Sequence, residues 1–415
     1  MHKSKHIALV VYYWPPSGGS GVQRWLFFAN AWAKSGMQLT VFVPLRPRVS
    51  EVDETLLEKL DSRINIIAVK GWEPLSKSKS PIAENIGINK GFKNQFFRWI
   101  RANFFIPDAR VFWAKAACKR LTNKHGLTPF DVVITSGPPH SIHKVGLETK
   151  NKLGVSWIAD FRDPWTGFFQ NNSLPMLKPI KLTHQKQERN VVTQADAVVV
   201  TAPSLASAFY RYNTNTYCMT NGFERILQQT TAAPHGLVYA GSLKAQQNPK
   251  ALWSAIAELL QENDTFRAEF SLELYGQLSK AVKEDIHAFG IETHVKHMGY
   301  QSKSEIDKRL PNAKALLLLG INMPNTENVI HGKLFEYMAT QRPILAIGPR
   351  PSDMEQLFTA HKLGIYATFD EKAIIKNTLL QWFSDKELLS EKANIDQFKR
   401  ANIAKDYLNL ILSIS

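Results

Sequence analysis

Short, unbroken apolar runs recur along the first half of the chain: HIALVVYY from His6, QLTVFVP from Gln38, INIIAVK from Ile64, FDVVITS from Phe130, VSWIAD from Val155 and ADAVVVTA from Ala195. Runs of this length, rich in β-branched residues and not alternating with polar ones, predict strands buried on both faces. Their alternation with helical or polar segments predicts a parallel sheet covered on both sides. A polar stretch, ILQQTTAAPH from Ile226, breaks the rhythm, which then restarts as GLVYAGS, FSLELYGQ, HVKHMGY, AKALLLLGI, RPILAIGP and GIYATF. The fold class is therefore α/β, with a first Rossmann-like domain over 1–224, a linker over 225–235 and a second Rossmann-like domain over 236–390. Two such parallel sheets, facing a central cleft, would bind ligands beyond the carboxyl ends of their strands. Ile375, Leu379, Trp382 and Phe383 recur at helical spacing in the tail, and 391–415 is expected to form a helix that packs back on the first domain.

Length agrees with this division, since 415 residues support two domains of about 150 to 200 residues. The opening MHKSKHIALVVYYWPP places basic residues before an apolar run, as a signal peptide does. That run is short, lacks a small-residue cleavage site and ends in Trp14-Pro15-Pro16, so it reads as a first strand. No apolar stretch nears the roughly 20 residues of a spanning helix. Cys118 and Cys218 show no metal-ligand spacing, which fits a reducing, cytoplasmic compartment.

Charge changes the picture more. A net charge of +15 favours anionic partners such as nucleotides, phospholipid surfaces or nucleic acid. Between Gly91 and Arg120, Phe92, Phe96, Phe97, Trp99, Phe104, Phe105, Phe112 and Trp113 interleave with Lys93, Arg98, Arg101, Arg110, Lys115, Lys119 and Arg120. Three readings stand: aromatics packed in the core, a membrane interface, or stacking on single-stranded nucleic acid. No nucleic-acid-binding motif accompanies the last, and nucleic acid is not expected as a partner.

Candidate chemistry lies where strands end. The first run leads into PPSGGSGVQRW, where Gly18, Gly19 and Gly21 form a loop before a helix, a place where exposed amides attract anions. As a dinucleotide fingerprint it fails, because Arg24 stands where a third glycine would pack. The fourth run ends in TSGPPHSIH, setting His140 and His143 at the head of a helix, where a histidine caps, binds a hydroxyl or phosphate, or exchanges a proton. ADFRDPW packs Asp160, Arg162 and Asp163 together, a network that braces its loop or lines an acceptor. In ENVIHGKLFEYMATQRPILAIG, from Glu327 to Gly348, the amides of His331, Gly332 and Lys333 would open a helix and the Lys333 ammonium would add a full charge. Glu336 falls on the same side three residues on, while Leu334, Tyr337 and Met338 point inward. A carboxylate there suits the vicinal hydroxyls of a ribose or sugar.

These stretches, with TNGFE at Thr220 to Glu224 and YAGSL at Tyr239 to Leu243, resemble the retaining glycosyltransferases of the GT-B fold, in particular the family 4 group that builds surface polysaccharides. The resemblance implies transfer of a sugar from a nucleotide-diphosphate-sugar to an acceptor hydroxyl, with retention, without a metal and without a cofactor other than the donor substrate. It implies a first domain that takes a sugar, glycolipid or lipid-linked acceptor, and a second that takes the donor. By the same resemblance His140, Lys333 and Glu336 are catalytic candidates. Gly18, Gly19, Lys244, Gly299, Tyr300, Asn328, His331 and Gly332 are donor-binding candidates, and Asp160, Arg162 and Asp163 are structural or acceptor-side. Two departures stand out. The first of the family's two glutamates falls on Asn328, and its diphosphate-binding Arg and Lys fall near Ser242 and Gln247. The alternative implied by that loss is a catalytically weak GT-B protein serving as a binding subunit of a polysaccharide assembly complex. The aromatic and basic segment adds an anionic membrane surface as a partner of a peripheral, cytoplasmic protein.

Overall fold

The computed structural model describes residues 4–47, 49, 52–72, 92–167, 174–230, 236–384 and 393–415. Part of the expected linker, 231–235, and Gly91 of the aromatic segment lie outside the described residues, as do the side chains of Phe92 and Lys93.

The first sheet comprises β1 (His6–Val11), β2 (Gln38–Pro44), β3 (Asn65–Val69), β4 (Val132–Gly137), β5 (Ser156–Phe161), β6 (Ala197–Val200) and β7 (Thr216–Cys218). Its order is β3-β2-β1-β4-β5-β6-β7, and every pairing is parallel. Six of these strands coincide with apolar runs. The seventh, β7, is three residues of a largely exposed edge, and an edge strand covered on one side needs no apolar run to advertise it. The second sheet comprises β8 (Leu237–Ala240), β9 (Leu272–Tyr275), β10 (Val295–Gly299), β11 (Ala315–Leu319), β12 (Ile344–Ile347) and β13 (Gly364–Ala367), in the order β10-β9-β8-β11-β12-β13, again all parallel. The fold is α/β with two Rossmann-like sheets. In each sheet the strand order reverses once, between β1 and β4 and between β8 and β11, and such switch points are where open parallel sheets bind ligands.

Two compact units result: residues up to Asn221 together with Arg400–Ser415, and Gly222–Lys399. In the first unit, helix Ser20–Lys34 buries Trp25, Phe28 and Trp32 against Tyr407 of the closing helix Arg400–Ile414. The Trp32 indole donates to the Ala404 carbonyl at 2.9 Å. Each large apolar side chain so buried stabilises by about 1.5 to 3 kcal/mol, and Ile403, Leu410 and Ile411 of the closing helix join the same core. In the second unit, helix Lys372–Ser384 buries Ile375, Leu379, Trp382 and Phe383 in a core shared with Trp253 of helix Lys250–Glu262. Among the described residues no helix is long and apolar enough to cross a membrane, and no cluster of three or more His, Cys, Asp or Glu side chains is grouped to hold a metal.

Candidate functional site

At the switch point of the second sheet the backbone is stripped of side chains so that one cation can cross it. Gly241 follows β8 at φ 134 and Gly276 follows β9 at φ 106. A Cβ on Gly276 would stand 2.6 Å from the Gly241 carbonyl, and a Cβ on Gly241 would stand 1.7 Å from the Lys333 ammonium. Lys333 comes from helix Gly332–Met338, which buries Leu334, Phe335, Tyr337 and Met338 and is pinned to β8 where the Ala240 amide donates to Tyr337 Oη at 2.9 Å. Its Nζ lies 4.8 Å from the centre of the Tyr239 ring and 3.4 Å from Tyr239 Oη. Among the described residues it makes no ion pair. Burial pushes its pKa down to about 8, Glu336 opposing and Lys244 adding to the shift.

The neighbouring candidates take distinct positions. His331 precedes the helix; burial, reinforced by Lys333, pushes its pKa down to about 4, so it is neutral at neutral pH. Asn328 Oδ1 is buried with no hydrogen-bond partner. Glu336 Oε1 is held by Lys303, at 3.2 Å, and the carboxylate keeps further lone pairs with which to accept from a ligand hydroxyl. Helix Gly332–Met338 is only seven residues long, so the positive end expected of its amides is weak and the field at this point comes chiefly from the Lys333 ammonium. The Gly299 carbonyl accepts from the Gly276 amide at 2.6 Å, which ties the end of β10 to that of β9 and leaves Tyr300 85% exposed. Lys244 is exposed. Gln247 turns inward, donating to the Leu319 carbonyl at 3.0 Å, and the Ser242 carbonyl accepts from Tyr239 Oη at 3.1 Å. Gly241 and Gly276 escaped the sequence reading, although the signal was present: β8, β9, β10, β11 and β12 each end at or just before a glycine.

The switch point of the first sheet spends its cations internally. Arg24 is buried and pairs with Asp160 at 3.5 Å, while the Ser136 hydroxyl donates to Asp160 at 2.7 Å and itself accepts from the Trp25 indole at 2.8 Å. Burial raises the Asp160 pKa and Arg24 opposes it. Arg162 donates to the Pro138 carbonyl at 2.8 Å, and its Nη1 fills the space a Cβ on Gly21 would take, 1.7 Å away. Gly21, expected in the loop, instead lies in the first turn of helix Ser20–Lys34 and serves the packing of Arg162, which joins that helix start to the loops after β4 and β5. Asp163 follows it, its pKa raised by burial with Arg162 opposing. Gly18 and Gly19 form the loop before helix Ser20–Lys34, with Gly19 at φ 98 and its carbonyl accepting from Val22 and Gln23.

Behind this end lies a stack of neutral rings, of which Trp165, His143 and Phe161 are buried and His140 is partly exposed. His140 lies parallel to Trp165, centroids 5.4 Å apart, and its Nδ1 is buried without a partner. Burial pushes its pKa down to about 4, with Asp108 opposing and Arg162 and His184 reinforcing. His143 is fully buried on Phe161, 4.2 Å between centroids, with Nδ1 3.1 Å from Thr135 Oγ1; it belongs to the support. The loop is clamped by Asp108, which accepts from the Ser141 amide and hydroxyl, both at 2.8 Å, and the Trp165 indole donates to His184 at 3.0 Å. Asp108, Ser141, Trp165 and His184 were not singled out from sequence; they are isolated residues on separate segments, and only folding gathers them.

No protein-family model matches the chain, and no curated protein matches it in sequence. Solved structures do match it over nearly its whole length. Sucrose-phosphate synthase from Thermosynechococcus elongatus aligns with a TM-score of 0.59 at 13% identity, over 98% of this chain and 95% of that one. A TarM variant from S. aureus, in complex with Fondaparinux, alpha-GlcNAc-glycerol and UDP, aligns with a TM-score of 0.61 at 13% identity, over 98% and 100%. A putative UDP-N-acetylglucosamine 2-epimerase from Listeria monocytogenes aligns with a TM-score of 0.58 at 12% identity, over 99% and 96%. At these identities the likeness establishes the fold, which is GT-B-like. A synthase and an epimerase in one such set also show why function has to be read from the site.

Proposed function

We propose that this protein is a glycosyltransferase that moves a sugar from a nucleotide-diphosphate-sugar to an acceptor hydroxyl, with retention and without a metal ion, in surface polysaccharide or glycolipid synthesis. The observation that carries the reading is the Lys333 ammonium, desolvated, free of any carboxylate pair among the described residues, and laid across Gly241 at the switch point of the second sheet. When the bond from the sugar C1 to the donor phosphate breaks, negative charge grows on the leaving diphosphate. A fixed cation in a site of low polarity stabilises that charge far more than one in water. Lys333, with Lys244 beside it, takes the part that neutral Ser242 and Gln247 leave open. Glu336 accepts from donor hydroxyls, and the exposed Tyr300 offers a ring to the base. As the acceptor oxygen bonds to C1 on the face the phosphate leaves, the acceptor proton passes to the departing phosphate oxygen, and no protein base is needed. The first unit takes the acceptor; neutral, half-buried His140 orients a hydroxyl there. The UDP bound to the TarM variant supports a nucleoside diphosphate as leaving group.

A panel of nucleoside-diphosphate sugars, each tested for thermal stabilisation of the full chain, checks the reading. A true donor at 100 times its Kd stabilises by about 2.7 kcal/mol, and transfer or slow donor hydrolysis follows with the same compound. If none stabilises the protein, the assignment falls. Stabilisation with no turnover on any acceptor instead favours the binding-subunit reading, for which the neutral side chains at Ser242 and Gln247 speak.

A further inference from the structure

Helix Phe92–Phe104 inverts the usual arrangement of a surface helix. Ala102 and Asn103 are buried, whereas Phe96, Phe97 and Phe104 are 53%, 51% and 68% exposed. Phe96, Ile100 and Phe104 recur at i, i+4 and i+8, so they share one face. Phe96 lies 6.4 Å from Phe97 and 6.5 Å from Trp99, and Trp99 lies 5.7 Å from Phe104, which makes the exposed rings one continuous ridge. Apolar area of this kind, left in water, forgoes about 25 cal/mol per Å² and marks a surface meant to be covered.

The interleaved segment thus divides in two. Helix Val111–Leu127 turns Trp113, Ala114 and Ala117 inward, so Trp113 is core, while Phe112 is half-buried against the exposed Trp72. Arg101, read from sequence as a surface cation, is largely buried beside Arg110 and Asp108, and burial lowers its pKa. The exposed charge near the ridge comes from Arg98 and from another segment. Asn103 donates to the Pro175 carbonyl and accepts from the Leu177 amide, both at 2.9 Å. This brings in Leu177, 50% exposed, and the start of helix Lys178–Gln194, where Lys178 and Lys181 are exposed and Leu182 is 64% exposed.

Both elements also frame the His140 site. Asp108, on the turn after the ridge helix, holds Ser141, and Lys144 donates to the Ile106 carbonyl at 3.3 Å. His184, on helix Lys178–Gln194, receives the indole proton of the Trp165 that stacks on His140. We infer that the ridge of Phe96, Phe97 and Phe104, with Lys178 and Lys181 beside it, docks on an anionic phospholipid surface and that the acceptor presented to the His140 site is lipid-borne. Aromatic rings settle at headgroup depth while ammonium groups meet lipid phosphates, and the +15 chain is complementary to such a surface. The acceptor half of the inference rests on the transferase reading; the docking half does not.

Sedimentation of the full chain with vesicles tests it, using phosphatidylcholine alone and phosphatidylcholine with roughly a third phosphatidylglycerol. Binding is expected to the anionic vesicles, weakening as salt rises. The triple variant Phe96→Ser, Phe97→Ser, Phe104→Ser loses it. The double variant Lys178→Ser, Lys181→Ser, confined to exposed positions and so safe for folding, lowers the partition coefficient roughly 30-fold, each basic side chain contributing about fivefold. Absence of binding at low salt, or full binding by both variants, overturns the inference. So does a self-association that the triple variant abolishes in a protein that ignores vesicles, since the ridge would then cover a second copy. Donor stabilisation, read in the absence of vesicles, separates failure of docking from failure of the transferase reading.

Discussion

The ends of the two sheets share a plan and differ in what they do with positive charge. Each has a switch point, glycine-rich loops and cationic side chains close by. At the first sheet, Arg24 is consumed by buried Asp160, Arg162 donates to the Pro138 carbonyl while its charge faces Asp160 and Asp163, and half-buried His140, stacked on the buried Trp165 ring, is left to meet a ligand. At the second sheet, Lys333 rests on the Tyr239 ring and hydroxyl and makes no ion pair among the described residues, with Glu336 acting on it only through space. A charge already neutralised and desolvated inside a protein has little left to give a ligand, whereas one held without a counterion gains most when an anion arrives. The first end is therefore suited to a neutral hydroxyl compound and the second to a diphosphate.

Replacing the free cation should break this contrast most severely. Lys333→Ala is expected to lower turnover by about 10² to 10³-fold, the usual cost of losing one group aimed at developing charge. Nucleoside diphosphate affinity should fall by about 10 to 100-fold, as for a charge-assisted hydrogen bond; calorimetric titration showing wild-type affinity would assign the anion site elsewhere. His140→Ala probes the other end. Turnover should drop by at least tenfold, towards the low side of what a positioned histidine supplies, with nucleoside diphosphate affinity unchanged. Equal losses in both quantities would mean that the two ends do not divide the work.

The smallest effect, and the sharpest, is in pH. Lys333, at about 8, is charged below that value, so nucleoside diphosphate affinity should be full below pH 8 and decline as pH climbs beyond it. An ordinary lysine would hold affinity to above pH 10. His140 and His331, both pushed from 6.5 to about 4, bind fewer protons folded than unfolded across that interval. The stability they contribute is present above pH 6.5 and is lost as pH falls through about 4. Melting temperatures flat from pH 7 to pH 4 would contradict the burial of both rings.

Most strands were legible because a strand buried on both faces must be apolar throughout, and runs such as AVVV and ALLLL have no other economical use. β7 was not, since an exposed three-residue edge asks nothing special of its side chains. The glycines at strand ends were visible as letters, but Gly21 and Gly241 gained their meaning only from the long side chains that cross them. The same holds for the aromatic segment: the spacing of its rings is local, and which of them face inward depends on what packs against each helix.

Order along the chain thus determined the two parallel sheets, the loops that close them and the presence of Lys333 and His140 within those loops, because these follow from periodicity and turn chemistry within a few residues. Tertiary structure alone decided which cations remain free. Arg24 meets Asp160 across 136 positions of sequence, and Lys333 reaches Tyr239 across 94, and a charge is spent or kept according to partners that only the folded chain brings within range.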